Sequence, residues 1–480
     1  MKHATPFFAD FTRILPRRAR RSAQDRLRAK AHALAQATLC QLGKLCAPWI
    51  PAQMLAPTET KANSRQRSYA QSVTFWAFLS QVLSPQTSCR EMVRKVQLWH
   101  AARRRPRPAS GTAAYCRARS RLPYETLRAI HAHTASALER DVSSAQRWCG
   151  RTVKVVDGTG VSMPDTPANQ RAFPQPSNQK RGCGFPVAKI VACFSLASGA
   201  LLHWAEGTLL THECKLFRRL FAFFRPGDVV LADRAFCAFS DIAALARMQV
   251  DTVLRQHQAR RCDWRKGKRL GPKDRLVLWH KPQQRPPGCS RTAWRRTPQT
   301  LTLRVLHVQI PVPGFRTQSL VLVTTLTDPL RYRASDLADL YLRRWAVELF
   351  FRDIKTTMGM DVLRCLTPEM VRKEIVMHAI AYNLVRALMQ RAAALYHVPL
   401  HRLSFKGSVD TLRQWADTLN AAYDKPREQA RLFDHILQIL AEDIVPLRPH
   451  RSEPRVRKRR PKNYRLMTQP RRSYHLAKVS

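Results

Sequence analysis

The chain has 480 residues, and 83 lysines and arginines against 33 acidic residues give a formal charge of +50. A hydrophobic fraction of 45% is that of a globular chain, not of one disordered by charge. The excess charge therefore sits on folded domains, two to four of them at roughly 100–200 residues each, and it calls for a polyanionic partner.

Of the basic residues 63 are arginine. Guanidinium meets phosphate in a two-pronged way, which favours nucleic acid over an anionic membrane. An arginine-rich genome is the plainer source of such a bias. No apolar run approaches the roughly 20 residues needed to span a bilayer; the most apolar stretch, 190–202, is short and contains Ser and Gly. Residues 1–21 hold no continuous apolar segment, so no secretory signal is expected. Twelve cysteines without any C-x-x-C pair argue against structural zinc and against a disulfide scaffold, and fit a reducing cytoplasm.

The first part, 1–148, reads as helical and basic. Thr87-Ser88 is a cap for a helix from Cys89 to about Ala102. An arginine-proline loop at 103–108 follows, then helices over 111–119 and 123–141. Small basic helical modules of this kind dock on DNA, though many helical hairpins do not.

At Thr152 the texture changes. Residues 152–157 form a β-rich run closed by Asp157-Gly158. Segments 188–196 and 200–206 flank a Ser-Gly turn and read as a hairpin. A helix over 213–224 leads through Pro226-Gly227 to an apolar strand, 228–233, that ends at Asp233. A short helix (241–248) and a strand (251–255) complete an α/β layered core.

Residues 256–318 break this rhythm. They are rich in basic residues and prolines, carry only Asp263 and Asp274 as acids, and include an alternating strand at 301–310. We read them as an inserted β-rich basic subdomain. A buried strand at 319–326 returns to the core, which spans 149–255 and 319–366. Ser335 is the expected cap of a long helix reaching about Thr357. Thr367-Pro368 opens another to about His397, followed by two shorter ones, making a helical region over 367–448 suited to pairing two subunits. The tail, 449–480, holds 11 basic residues and 1 acidic one.

Three carboxylates stand out by position: Asp157 and Asp233 at strand ends, and Glu348 inside the helix after the insertion. Acids at the ends of neighbouring strands can converge on divalent ions, which prefer oxygen ligands. Two such ions about 3.5–4 Å apart stabilise the attacking and leaving oxygens of phosphoryl transfer. Each acid also has a plainer reading: a turn at Asp157-Gly158, a local pair between Asp233 and Arg234, a solvated helix face at Glu348.

The helix around Glu348 is more specific. Tyr341, Arg344, Glu348 and Lys355 fall on one stripe roughly 60° wide and about 21 Å long at ideal helical geometry. Trp345, Val347, Leu349, Phe350 and Ile354 surround it. A mostly buried helix would thus present a polar line suited to a cation-holding carboxylate flanked by phosphate contacts. The alternative is a core helix with an ordinary i,i+4 pair between Arg344 and Glu348.

Asp157, Asp233 and Glu348, with the Y-x-x-R-x-x-x-E-x-x-x-x-x-x-K pattern spelled by Tyr341, Arg344, Glu348 and Lys355, resemble the DDE transposases of bacterial insertion sequences, the IS-four group. Residues 157–160 (DGTG), 164–169 (PDTPAN) and 343–351 (RRWAVELFF) add to the likeness, which covers the chain from about Cys89 to the tail. The resemblance implies an α/β RNase H-like catalytic core interrupted by a β-rich insertion. It implies Asp157, Asp233 and Glu348 as catalytic ligands of two Mg²⁺ (or Mn²⁺). Tyr341, Arg344 and Lys355 would contact DNA, with Arg352 and Arg234 as further basic candidates beside them. The implied function is cut-and-paste transposition: strand hydrolysis at the ends of the element, through a hairpin in the best-known relatives, then strand transfer. The implied partners are double-stranded DNA, both inverted-repeat ends and target, and a second subunit in the DNA complex, in a cytoplasmic, nucleoid-associated setting with no membrane.

Two positions depart from the family pattern. Ala235 stands where some relatives have a glutamate after the Asp-Arg pair. Leu320 matches the place of a base-stacking aromatic, for which Trp264, Trp279 and Trp294 are possible substitutes unless they only pack the insertion. Other readings are a different RNase H-like nuclease and a catalytically inactive DNA-binding remnant.

Overall fold

The computed structural model describes residues 48–56, 68–84, 86–102, 105–260, 262–286, 288–310, 319–422 and 425–446, with Cys46, Gln469, Pro470 and Ser473. The first 45 residues and every basic residue of the tail lie outside the described residues.

Among the described residues a nine-stranded mixed sheet organises the fold. Its strands are β1 (Val153–Ser162), β2 (Val187–Ser195), β3 (Leu201–Thr208), β4 (Val229–Ala232), β5 (Asp251–Arg255), β6 (Lys268–Gly271), β7 (Asp274–His280), β8 (Thr300–Gln309) and β9 (Ser319–Thr324). Their order is β3-β2-β1-β4-β5-β9-β8-β7-β6. β1, β2 and β3 form an antiparallel meander, and β4 and β5 add parallel to β1. β4 is Val-Val-Leu-Ala with every residue buried, the pattern of a strand covered on both faces.

Strands β6 to β8, from the segment read as an inserted subdomain, do not make a sheet of their own. β9 pairs antiparallel with β5, β8 with β9, β7 with β8, and β6 with β7, so the core sheet simply continues into the insertion. Arg304 on β8 is 1% exposed and donates to both carboxylate oxygens of Asp274 on β7 and to the Tyr332 carbonyl, which ties the extension to the chain leaving β9.

The helices are α1 (Gln71–Leu83), α2 (Cys89–Ala102), α3 (Ala113–Arg121), α4 (Tyr124–Arg140), α5 (Pro167–Ala172), α6 (Glu213–Arg219), α7 (Phe239–Arg247), α8 (Arg291–Arg295), α9 (Ala334–Leu342), α10 (Ala346–Arg352), α11 (Pro368–Leu395), α12 (Phe405–Ala421) and α13 (Pro426–Glu442). Ser88 caps α2 as its sequence suggests: its hydroxyl accepts from the Glu91 N–H, and the Glu91 carboxylate accepts from the Ser88 N–H. Thr367 caps α11 through the Met370 N–H.

α11, about 42 Å long at 1.5 Å per residue, is buried along most of its length and packs on α1, α4, α12 and α13. The first long helix after residue 367 is thus largely an interior strut. It also grips the sheet. The turn between β2 and β3 is held by Tyr382, whose hydroxyl donates to Gly199 O at 2.7 Å, and by Arg386, which donates to Ser198 O. Asn383 pairs with both the N–H and the carbonyl of Leu201, in the manner of an extra strand residue.

Three other expectations are corrected. β1 does not close at Asp157 but runs on to Ser162, because Gly158 stays extended and pairs with Val191 instead of turning. Ser335 lies inside α9, which begins one residue earlier with Arg333 in the cap position. The long helix is not uniform: a 3₁₀ turn at Arg343–Trp345 joins α9 to α10, and a π turn at Asp353–Thr357 ends it. Such irregular turns re-aim side chains relative to an ideal helix. No helix among the described residues is long and apolar enough to cross a membrane.

Candidate active site

The parallel pair β1 and β4 positions the two aspartates. Val156 is the last β1 residue paired with β4, opposite Ala232. The next residue on each strand is the acid, Asp157 or Asp233, so the two carboxylates leave adjacent strands at the same level. Asp157 lies where β1 loses β4 as a neighbour but keeps β2, through Ala192. The carboxyl ends of parallel strands are where open α/β sheets bind ligands.

α9 and α10 deliver the other side chains onto this edge. Phe194 on β2 anchors them, with ring centroids 5.4 Å from Phe350 and 5.3 Å from Phe351. The Tyr341 ring is 1% exposed, and its hydroxyl donates to Asp233 Oδ1 at 3.5 Å. Arg344 Nη1 is 3.5 Å from Asp157 Oδ2, and Nη2 is 3.8 Å from Glu348 Oε1. Lys355 Nζ donates to Thr159 Oγ1 on β1 at 3.0 Å. The sequence stripe therefore meets the strands at three of its four positions.

Glu348 is the fourth. Its side chain is 63% exposed and faces outward across Arg344. Leu349, expected among the apolar surround, is 50% exposed, whereas Val347, Phe350 and Ile354 are buried. Arg352 pairs with Asp353, and Arg234 donates to Gln258 Oε1 at 2.7 Å on the exposed side of the site.

Electrostatics mark Asp157 as unusual. Burial raises its carboxyl above the ordinary range; the Gly158 N–H, donating to Oδ1 at 2.8 Å, and Arg344 pull it down, while Asp233 and Glu213 push it up. Burial also raises the Tyr341 hydroxyl. Like charges gathered in this way favour a cation between them. Among the described residues no three histidine, cysteine or acidic side chains stand at ion-holding spacing. The donor set is nonetheless all carboxylate oxygen, the chemistry of a hard divalent ion, and the Arg344 guanidinium lies between Asp157 and Glu348.

Sequence reading missed three neighbours. Arg255 ends β5 and acts electrostatically on Tyr341. Thr159 takes the Lys355 hydrogen bond. Glu213, at the start of α6, lies against Gly158. Only the DGTG phrase pointed toward any of them. The tryptophans of the insertion are engaged in packing: Arg260 lies 3.8 Å over the Trp279 ring, Lys281 4.6 Å over Trp294, and Trp264 stands edge-on to His307. Leu320 is buried in β9, opposite Val308.

Residues 148–384 match the family model described as a transposase DDE domain, a span holding Asp157, Asp233 and the whole Tyr341–Lys355 segment. The chain is 28% identical over 449 residues, 92% of its length and 96% of the relative's, to transposase InsG for insertion sequence element IS4 from Escherichia coli strain K12. Among solved structures it resembles a piggyBac transposase synaptic complex with hairpin DNA, at 10% identity and a TM-score of 0.40, covering 88% of this chain and 87% of that one. On its sequence and its family match, the chain belongs to the DDE transposases, in the group of insertion sequence IS4.

Proposed function

We propose that this DNA transposase performs metal-dependent cut-and-paste transposition of its own insertion sequence, with Asp157, Asp233 and Glu348 as its catalytic carboxylates on an RNase H-like core. The observation that carries the reading is the meeting of two aspartates, Asp157 within β1 and Asp233 just after β4, with two residues of the Glu348 segment, Tyr341 on Asp233 and Arg344 on Asp157. The meander β1–β3 with β4 and β5 added parallel is the strand arrangement this reading requires.

In it, the three acids hold two Mg²⁺ (or Mn²⁺). Such ions lower the cost of charge developing on the attacking and leaving oxygens of a phosphodiester. Water attacks the phosphorus at the element's end, the P–O3′ bond breaks, and a free 3′-OH remains. That hydroxyl later attacks a phosphorus of the target strand, forming a new P–O3′ bond as the target's own P–O3′ bond breaks and its 3′-OH departs. The chain's own groups position these reactants. Tyr341 steadies Asp233 through its hydroxyl. Arg344, Lys355, Arg352 and Arg234 supply positive charge along the strand, and guanidinium suits phosphate. Exposed arginines on α2 and α3, among them Arg90, Arg94 and Arg117, are the surface for recognising the inverted repeats. Cutting two ends calls for two subunits in the DNA complex. A charge of +50 suits a protein resident on the bacterial nucleoid in the cytoplasm.

The test is the purified full chain with Mg²⁺ and duplexes carrying the inverted repeats that flank its gene. Cleavage at the repeat ends, abolished in Asp157→Asn, Asp233→Asn and Glu348→Gln with DNA binding retained, is the expected result. Cutting that persists in all three variants rejects the assignment.

A further inference from the structure

We infer that Thr159 is a positioning residue of the strand-cutting reaction. Its hydroxyl holds the Lys355 ammonium one strand period beyond Asp157, in line with Arg344, to meet the phosphate backbone of the bound strand. The inference deepens the function proposed above and rests on its reading of Asp157 and Lys355.

The first observation is the face that Thr159 shares with Asp157. Side chains two apart on a strand leave the same side of a sheet. Asp157 meets Arg344 there, and the Thr159 hydroxyl accepts from Lys355 Nζ at 3.0 Å. Gly158 between them faces the other way, where a Cβ would meet Glu213. Two basic groups of the Glu348 segment thus stand on successive rungs of β1, about 7 Å apart. Successive phosphates of one nucleic-acid strand are spaced on the same scale.

The second observation is the open stretch of β1 on which Thr159 lies. The strand loses β4 after Val156 and continues with β2 alone to Ser162. Its edge is taken up again at Ser162, whose N–H donates to Asp361 O and whose carbonyl accepts from the Leu363 N–H. Residues 157–160 in between are half-buried, where 153–156 are fully buried. Gly158 and Gly160 carry no side chain, so Thr159 is the one side chain between Asp157 and Val161.

The third observation is the way Lys355 is carried. It belongs to the π turn Asp353–Thr357, and such turns re-aim side chains relative to a regular helix. Asp353 and Ile354 bury the base of the turn, and the Lys355 carbonyl accepts from the Asp361 N–H. The backbone of the lysine is thus fixed, and the Thr159 hydroxyl fixes the far end of its flexible stem. A neutral oxygen orders an ammonium without opposing its charge, which a carboxylate in the same place would do. Ordering the group before DNA arrives removes an entropy cost from the reacting complex.

The experiment is single-turnover cleavage of the end-bearing duplex by the full chain with Mg²⁺, with melting temperatures measured beside it. Thr159→Val keeps the branched shape and removes the hydroxyl, whereas Thr159→Ser keeps the hydroxyl and removes the methyl group. Thr159→Val should cut about tenfold more slowly, the loss of one hydrogen bond to a charged group, with no fall in melting temperature. Thr159→Ser should cut within about threefold of the parent. In a Lys355→Met background, itself slow, Thr159→Val should cost nothing further, because residues that act through one contact do not add. If Thr159 serves only the strand, the order reverses: valine cuts as the parent does, serine is the slower, and the inference falls. A full tenfold loss from Thr159→Val in the Lys355→Met background also overturns it, since the hydroxyl would then act without the ammonium. If Lys355→Met cuts at the parent rate, the underlying reading of Lys355 falls and takes the inference with it.

Discussion

Arg344 holds its guanidinium 3.5 Å from the Asp157 carboxylate, between that acid and Glu348. The rings of Tyr341 and Trp345, 5.8 and 5.5 Å from its central carbon, keep the group in place. The distances are those of a loose ion pair and are longer than a two-pronged hydrogen bond. Arg344 is therefore held near the acids without being locked to them, which leaves it able to exchange them for a phosphate.

That relationship makes Arg344 the most sensitive basic residue of the site. Arg344→Ala should slow single-turnover cleavage of an end-bearing duplex by about 10²–10³-fold, the usual cost of removing one aimed electrostatic contact. Arg344→Lys should fall between the parent and the alanine variant, because an ammonium is a point charge and cannot face Asp157 and a phosphate together. An alanine variant that cuts within twofold of the parent would remove Arg344 from the reaction.

Tyr341 separates packing from positioning. Tyr341→Phe keeps the buried ring and loses the hydroxyl's bond to Asp233, which is long at 3.5 Å, and its interaction with Arg344. Its unfolding free energy should change by no more than about 1 kcal/mol, with a modest fall in cleavage rate. Tyr341→Ala empties a site that is 1% exposed and should cost about 3–5 kcal/mol. Urea unfolding curves for the two variants decide this: equal losses would mean that the hydroxyl, not the ring, carries the residue's weight.

Much of this was legible in the sequence where one local signal dominates. The α2 boundaries follow from the Ser88 cap, and β5 from an apolar run between polar ends. Asp157 and Asp233 were readable because each acid directly follows an apolar strand run, although β1 itself continues past Asp157 to Ser162. The extension of the sheet through β9 was not readable, since pairing of β5 with β9 joins residues about 70 apart and leaves no local mark. The outward turn of Glu348 was hidden for a different reason. An ideal 3.6-residue period assigns it to the Arg344 stripe, where it stays as the i,i+4 partner of Arg344, but the period does not show that its side chain is left 63% exposed. Glu213 was missed because only the fold brings it against Gly158.

Gly199 tests the clamp between the sheet and α11. It has φ +70°, and a Cβ there would collide with the Arg386 guanidinium, 2.7 Å from its Cζ, although that group is already committed to Ser198 O. Gly199→Ala combines backbone strain with that collision and should cost about 2 kcal/mol or more. Gly227 is the control, at φ +88° with nothing within 4 Å of a Cβ. Gly227→Ala should carry the strain alone, about 1 kcal/mol. Melting curves in which the two variants are equally affected would show that Arg386 yields freely and that the clamp is weak.

Acid should weaken the fold through three histidines. Burial pushes His131 down to about 4, His203 down to about 3 and His378 down to about 3. All three are neutral in the folded chain and titrate near 6.5 when unfolded. Their contribution is therefore complete above pH 6.5 and is lost as pH falls toward 4, at about 1.4 kcal/mol per pH unit for each histidine. Asp353 acts in the opposite sense. Burial pushes its carboxyl up to about 6, so its contribution is present at low pH and is lost as pH rises through that value, offsetting roughly one histidine on acidification. The urea midpoint should drop between pH 7 and pH 5. In His378→Leu, which removes a buried ring whose Nδ1 has no partner, the drop should be smaller by about one histidine's share. A midpoint that stays flat over this range would mean that the histidines protonate inside the folded chain, and hence that the contact between α4, α11 and the sheet opens to water.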